Sequence, residues 1–155
     1  MTAEVGSKAP DVTLPNQDRQ PVKLGEQFAK HATVLAFFPA AFTSVCTKEL
    51  CTFRDSLANL NKAHAQVFGI SVDTPFTLKA FANEQHLNFP LLSDFNKEAI
   101  RAYGVYNEDM LGLKGIARRA VFLVDTRGVV RHREILDNPG NEPDYAKLNQ
   151  AIGQL

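Results

Sequence analysis

Thr33-Val34-Leu35-Ala36-Phe37-Phe38-Pro39-Ala40-Ala41-Phe42-Thr43-Ser44-Val45-Cys46-Thr47-Lys48-Glu49-Leu50-Cys51 holds the only two cysteines of the chain. Its apolar opening, Thr33 to Phe38, reads as a buried strand. Pro39 turns the chain, and Thr43 or Ser44 is suited to cap a helix. Leu50, Phe53, Leu57 and Leu60 then recur at helical spacing and carry that helix to about His64. Whichever residue is the cap, Cys46 falls in the first turn. Amide groups there lack intrahelical partners and the helix dipole is positive. A thiol in that place loses its proton more readily than a free one, and the thiolate is the nucleophile.

Outward from this stretch, strands and helices alternate. Gln66–Asp73 reads as the next strand, and Thr74 or Pro75 starts a helix to about His86, with Pro75 tolerated in its first turn. Residues 89–94 are extended, 96–103 form a short helix ended by Gly104, and 105–117 read as a loop. Arg119–Val124 is a strand, Asp125-Thr126-Arg127-Gly128 a hairpin turn, and 129–136 an alternating return strand. A loop at 138–143 leads to Asp144, which caps a last helix to Ile152. On the N-terminal side, residues 1–10 read as an extended arm. Asp11–Leu14 and Pro21–Leu24 pair as a hairpin across Asn16-Gln17-Asp18, and residues 25–30 connect with one helical turn. This order implies an α/β fold, a central mixed sheet flanked by helices with an N-terminal β-hairpin extension. No repeat, linker or low-complexity run divides the chain, so residues 1–155 are read as one domain.

Composition narrows the function. Lysine plus arginine, 17, equals aspartate plus glutamate, 17, which disfavours binding to a nucleic-acid backbone. Arg131 and Arg133 share one strand face, read as a solvated face. The N-terminus has no apolar signal core, and Pro39 and charged residues interrupt every apolar run, so neither export nor a membrane span is expected. The expected compartment is the cytoplasm, where two cysteines are reduced and catalytic rather than a staple. His31, His64, His86 and His132 have no zinc-type spacing.

Pro39-x-x-x-Thr43-x-x-Cys46 resembles the active-site motif of the peroxiredoxins, thiol enzymes that reduce peroxides, and Cys46-Thr47-Lys48-Glu49 resembles the family's Cys-x-x-Glu. Gly115-Ile116-Ala117-Arg118-Arg119-Ala120-Val121-Phe122-Leu123-Val124-Asp125 resembles the segment that delivers the family's arginine, which falls on Arg119. The similarity runs from the Gly6-x-x-Ala9-Pro10-Asp11 opening onwards. A second cysteine five residues after the first resembles the bacterioferritin-comigratory (Q-type) members. The wording Pro-Ala-Ala-Phe-Thr resembles the one-cysteine-like bacterial members similar to alkyl hydroperoxide reductase E. The resemblance implies a thioredoxin-like fold, a peroxidase, no metal or organic cofactor, hydrogen peroxide or organic hydroperoxide as substrate, and a thioredoxin- or glutaredoxin-like reductant. It leaves monomer and homodimer both open.

Each residue then has an expected task. Cys46 is the peroxidatic thiol. Shifting a thiol two pKa units takes about 2.7 kcal/mol, and a partly buried helix start contributes up to about 2 kcal/mol, so a cation is wanted as well. The resemblance nominates Arg119, and Arg118, on the opposite face of the strand, points away. Thr43 shares a helix face with Cys46 and offers a hydroxyl to the backbone and to a peroxide. Pro39 shields the thiol from water. The amides of Val45 and Cys46 are peroxide donors. Glu49, one turn on, pairs with Arg119 and fixes its direction. Phe37, Phe38, Phe42 and Phe53 are core residues, some of them available for an apolar collar or a dimer contact. Cys51 is the expected resolving cysteine, which attacks the Cys46 sulfenic acid to form a disulfide. Residues five apart on a helix have Cα atoms roughly 8–9 Å apart, beyond the roughly 7 Å that a disulfide spans. Such a bond therefore requires the helix start to unwind. Two other readings stand beside this one. One is a redox switch that changes partners on Cys46 oxidation. The other is a one-cysteine peroxidase with an incidental Cys51. A thioredoxin-like oxidoreductase is disfavoured by the lack of Cys-x-x-Cys.

Overall fold

Elements follow one another as β1 (Thr13–Pro15), β2 (Pro21–Lys23), α1 (Leu24–Lys30), β3 (Ala32–Phe37), α2 (Ser44–Lys62), β4 (Ala65–Ser71), α3 (Pro75–Glu84), β5 (Leu91–Ser93), α4 (Glu98–Ala102), β6 (Tyr106–Asn107), β7 (Ile116–Ala117), β8 (Ala120–Val124), β9 (Val130–Ile135) and α5 (Tyr145–Gly153). They come from a computed structural model that describes residues 3–155; residues 1 and 2 of the expected N-terminal arm lie outside it. The central sheet has the order β5-β4-β3-β8-β9. β3 runs parallel to β4 and antiparallel to β8, so the sheet is mixed, as the alternation of elements implied.

The sheet works as a partition because successive strand side chains point to opposite faces. Val34, Ala36, Val121 and Leu123 pack with Leu50, Phe53 and Leu60 of α2, with Leu78 and Phe81 of α3, and with Leu148 and Ile152 of α5. Leu35, Phe37, Phe122 and Val124 pack on the other side with Leu24 and Phe28 of α1 and Ala99 and Ile100 of α4. β3, β4 and β8 are buried along almost their whole length, which explains why they read as unbroken apolar runs rather than alternations. Gly69 in β4 leaves room for the side chains of its neighbours in the sheet: a Cβ there would stand 2.6 Å from Leu91 Cδ2 and 3.3 Å from Phe38 Cε1. The helix that carries both cysteines is seated on the sheet by Leu50, Phe53 and Leu60.

Two expectations change. The segment 105–117, read as a loop, contains the antiparallel pair β6–β7, with Tyr106 opposite Ala117. Two-residue strands are too short to show any periodicity. Leu24, expected to end the hairpin, opens α1 instead. Its amide still donates to Val12 O at 3.1 Å, while its side chain is fully buried.

Candidate active site

β3 is prolonged past Phe37 by the Phe38 amide, which donates to Ile70 O at 3.0 Å. Pro39 follows and is buried. The chain then kinks through Ala40, Ala41 and Phe42, the last at φ 66°, a left-handed conformation uncommon for a bulky residue. Thr43 is the N-cap of α2, with extended φ −88° and ψ 153°. Thr47 N is the first amide to bond within the helix, to Thr43 O at 2.9 Å. The amides of Ser44, Val45 and Cys46 precede it, so they have no helical carbonyl to reach and their N–H groups remain for a ligand. The Thr43 hydroxyl departs from expectation. It caps no helix amide and donates to Ala40 O at 2.8 Å. Its one proton is committed there, so toward a peroxide it offers lone pairs.

Cys46, Glu49 and Arg119 meet in the interior, at 1 %, 0 % and 2 % exposure. Arg119 Nη2 donates to Cys46 Sγ at 3.3 Å, and Nη1 donates to Glu49 Oε1 at 2.8 Å. Nη2 also donates to the Pro139 carbonyl at 3.0 Å. The guanidinium is therefore clamped from two sides, by a carboxylate on α2 and by the loop after β9, and one nitrogen is left aimed at the sulfur. A cation fixed in this way holds positive charge against the thiol without reorganising during reaction.

The clamp is under-satisfied. Glu49 Oε2 and Arg119 Nε are buried without a hydrogen-bond partner. Burial pushes the Glu49 carboxyl up to about 7, against the lowering effect of Arg119. Burial works to lower the Arg119 value as well, but Glu49 and Cys46 overcome it and hold the guanidinium above its ordinary value.

The structure does not bring all of the expected residues together. Both cysteines are free thiols. Cys51 lies on the intact α2, half-buried, and its Sγ donates to Gln85 Oε1 at 3.6 Å, beyond the end of α3. The strand expected from Arg119 begins one residue later, at Ala120, so both arginines lie in the link between β7 and β8; there Arg118 turns outward and pairs with Asp137 at the surface. The four phenylalanines are split rather than gathered. Phe38 and Phe53 share the Cys46 core, but Phe37 lies on the opposite face of the sheet, against Tyr103 and Phe122. Phe42 is half exposed, with its ring edge on Phe81. Among the described residues, no group of three His, Cys, Asp or Glu side chains is placed to hold a metal ion.

Two contacts have no signature in the sequence. The Pro139 carbonyl is backbone, blind to side-chain type, within a stretch that reads only as a loop. Asp73, the last residue of the strand expected over Gln66–Asp73, lies two residues past the end of β4, and its Oδ2 accepts the Ala41 amide at 2.9 Å.

A mixed sheet that buries a cysteine at a helix start, beside a clamped arginine, is the arrangement expected of the peroxiredoxin class of thiol peroxidases. Comparison with known proteins agrees: residues 5–133 match the AhpC/TSA family. The chain belongs to that family. It is 40% identical over 154 residues to alkyl hydroperoxide reductase E of Mycobacterium tuberculosis H37Rv, covering 97% of each chain. Among solved structures, peroxidoxin BcpB of Mycobacterium tuberculosis is similar at TM-score 0.83 and 30% identity, over 97% of this chain and 94% of that one. A peroxiredoxin-like protein from Aquifex aeolicus superposes at TM-score 0.90 with 27% identity, over 99% of this chain and 88% of that one. Among the described residues, no helix is long and apolar enough to cross a membrane.

Proposed function

We propose that this chain reduces hydrogen peroxide or organic hydroperoxides at Cys46, in the cytoplasm. The observation that carries the reading is the 3.3 Å contact between Arg119 Nη2 and Cys46 Sγ, held in the interior by Glu49. The Cys46 thiolate attacks one peroxide oxygen. An S–O bond forms as the O–O bond breaks, and the departing oxygen leaves as water or alcohol after taking up a proton. Arg119 steadies the charge that develops along the breaking bond. The Val45 and Cys46 amides donate to the peroxide, and the Thr43 hydroxyl accepts its O–H proton in a hydrogen bond. Pro39 keeps water from the sulfur. The product is a sulfenic acid on Cys46.

In the fuller cycle Cys51 attacks that sulfur, water leaves, and the disulfide is reduced by exchange with a thioredoxin- or glutaredoxin-like dithiol. The first turns of α2 must open for this, because an intact helix keeps the two Cα atoms roughly 8–9 Å apart. A second reading is favoured by one specific contact: Cys51 is engaged with Gln85 rather than turned toward Cys46. In that reading the sulfenic acid is resolved by an external thiol, and Cys51 is incidental.

One turnover assay decides both points. With excess hydrogen peroxide and either thioredoxin or a small thiol as donor, Cys46→Ser abolishes consumption, since a serine hydroxyl is not ionised at neutral pH. Retained turnover in that variant contradicts the function. Cys51→Ser loses thioredoxin-dependent turnover if Cys51 resolves, and keeps full turnover if it does not.

A further inference from the structure

The peptide unit between Ala40 and Ala41 is held at both ends. Its carbonyl accepts the Thr43 hydroxyl at 2.8 Å, and its N–H donates to Asp73 Oδ2 at 2.9 Å. Asp73 sits in the turn between β4 and α3, far from Thr43 in sequence. It is itself fixed from three directions. Ser71 Oγ donates to the same Oδ2 at 2.7 Å, the Asp73 amide donates back to Ser71 Oγ at 3.2 Å, and Ser93 Oγ donates to the Asp73 carbonyl at 2.6 Å. Ser71 and Ser93 end β4 and β5 and are buried, so this bracket is anchored in the sheet. The anchored segment also carries strain, because Phe42 follows Ala41 at φ 66°. Such a conformation persists only where its surroundings hold it.

We propose that Asp73 is a positioning residue of the active site. Its carboxylate fixes the Ala40–Ala41 peptide plane, and through that plane the direction of the Thr43 hydroxyl at the start of α2. It touches neither Cys46 nor substrate. Without it, the Phe42 kink is free to relax, and the hydroxyl loses the geometry in which it meets a peroxide beside the sulfur. The clamp on the thiol itself, Arg119 with Glu49 and Pro139, does not pass through Asp73 and stays in place. The inference rests on the peroxidase reading given above.

This separation makes it testable on the full-length protein, with two reagents that attack the same thiol. Hydrogen peroxide needs the Thr43 hydroxyl, whereas iodoacetamide needs only the thiolate. Asp73→Ala is expected to slow oxidation of Cys46 by hydrogen peroxide about tenfold and to leave alkylation by iodoacetamide within about twofold. Asp73→Asn keeps a carbonyl oxygen in the position of Oδ2 and restores oxidation to within about threefold of the parent. Ser71→Ala, which removes one of the donors orienting the carboxylate, falls between them and carries the test if Asp73→Ala does not fold. Oxidation within about twofold of the parent in every folded variant overturns the proposal. So does a parallel fall of oxidation and alkylation, which marks general loosening. A parent protein that consumes no peroxide overturns the peroxidase reading and this inference together; an active parent with an indifferent Asp73 overturns this inference alone.

Discussion

Arg118 and Arg119 are neighbours in the chain, and each pairs with a carboxylate, yet the two pairs sit in opposite surroundings. The side chains of Arg118 and Asp137 are 33% and 95% exposed, whereas those of Arg119 and Glu49 are 2% and 0% exposed. Water competes for the first pair and screens it, so its contribution is slight. In the second, each charge has given up water and depends on its partner, so removing one partner strands the other. One step along the chain, in the link between β7 and β8, turns a surface ion pair into the clamp of a reactive centre.

The comparison breaks most visibly at Arg119. Arg119→Ala leaves Glu49 buried without a cation, and we expect a loss of stability of about 3 kcal/mol at pH 8, read by urea unfolding. The loss shrinks at pH 6, where Glu49 can take up a proton and no longer needs the cation. An equal loss at both values would mean that Glu49 is not the stranded group.

Glu49→Gln sharpens the same point. The folded value of Glu49 stands at about 7, above its ordinary 4.5. A raised folded value means that its favourable contribution is whole below about 4.5 and is lost as pH rises through about 7. Glutamine carries no such dependence. The melting temperature of Glu49→Gln relative to the parent should therefore climb by several degrees between pH 5 and pH 8. A flat difference would place the carboxyl near its ordinary value. The smallest effect belongs to the surface pair: Arg118→Ala should change stability by less than about 1 kcal/mol at either pH, and a larger change would erase the contrast between the neighbours.

The contrast was legible in part: parity on an extended chain sends Arg118 and Arg119 to opposite sides, although β8 starts only at Ala120 and the two part in the link that leads into it. The helix of the two cysteines was legible for a similar reason: Leu50, Phe53 and Leu60 mark its buried face at a spacing no strand has. What escaped lacks a period or a side-chain type. The β6–β7 pair is two residues long on each side. The third tie on Arg119 is the carbonyl of Pro139, a group that every residue possesses. Phe37 was grouped with its aromatic neighbours by closeness in sequence, but parity sends it to the other face of the sheet. Thr43 was expected to accept a hydrogen bond as a cap. The kink at Phe42 instead brings Ala40 O within reach of its hydroxyl, which therefore donates.

The pairing of Cys46 with Arg119 is tested most directly by single-turnover oxidation of Cys46 with hydrogen peroxide at pH 7, comparing the parent with Arg119→Ala, Arg119→Lys and Arg118→Ala. We expect Arg119→Ala to react at least about a hundredfold more slowly, as loss of a preorganised donor at a reacting centre costs roughly 10²–10³ in rate. Arg119→Lys, which keeps the charge but not the fork, should fall between, and Arg118→Ala should stay within about twofold of the parent. Oxidation of folded Arg119→Ala at a rate near that of the parent, or a large loss in Arg118→Ala, would contradict the assignment of Arg119 to the thiol.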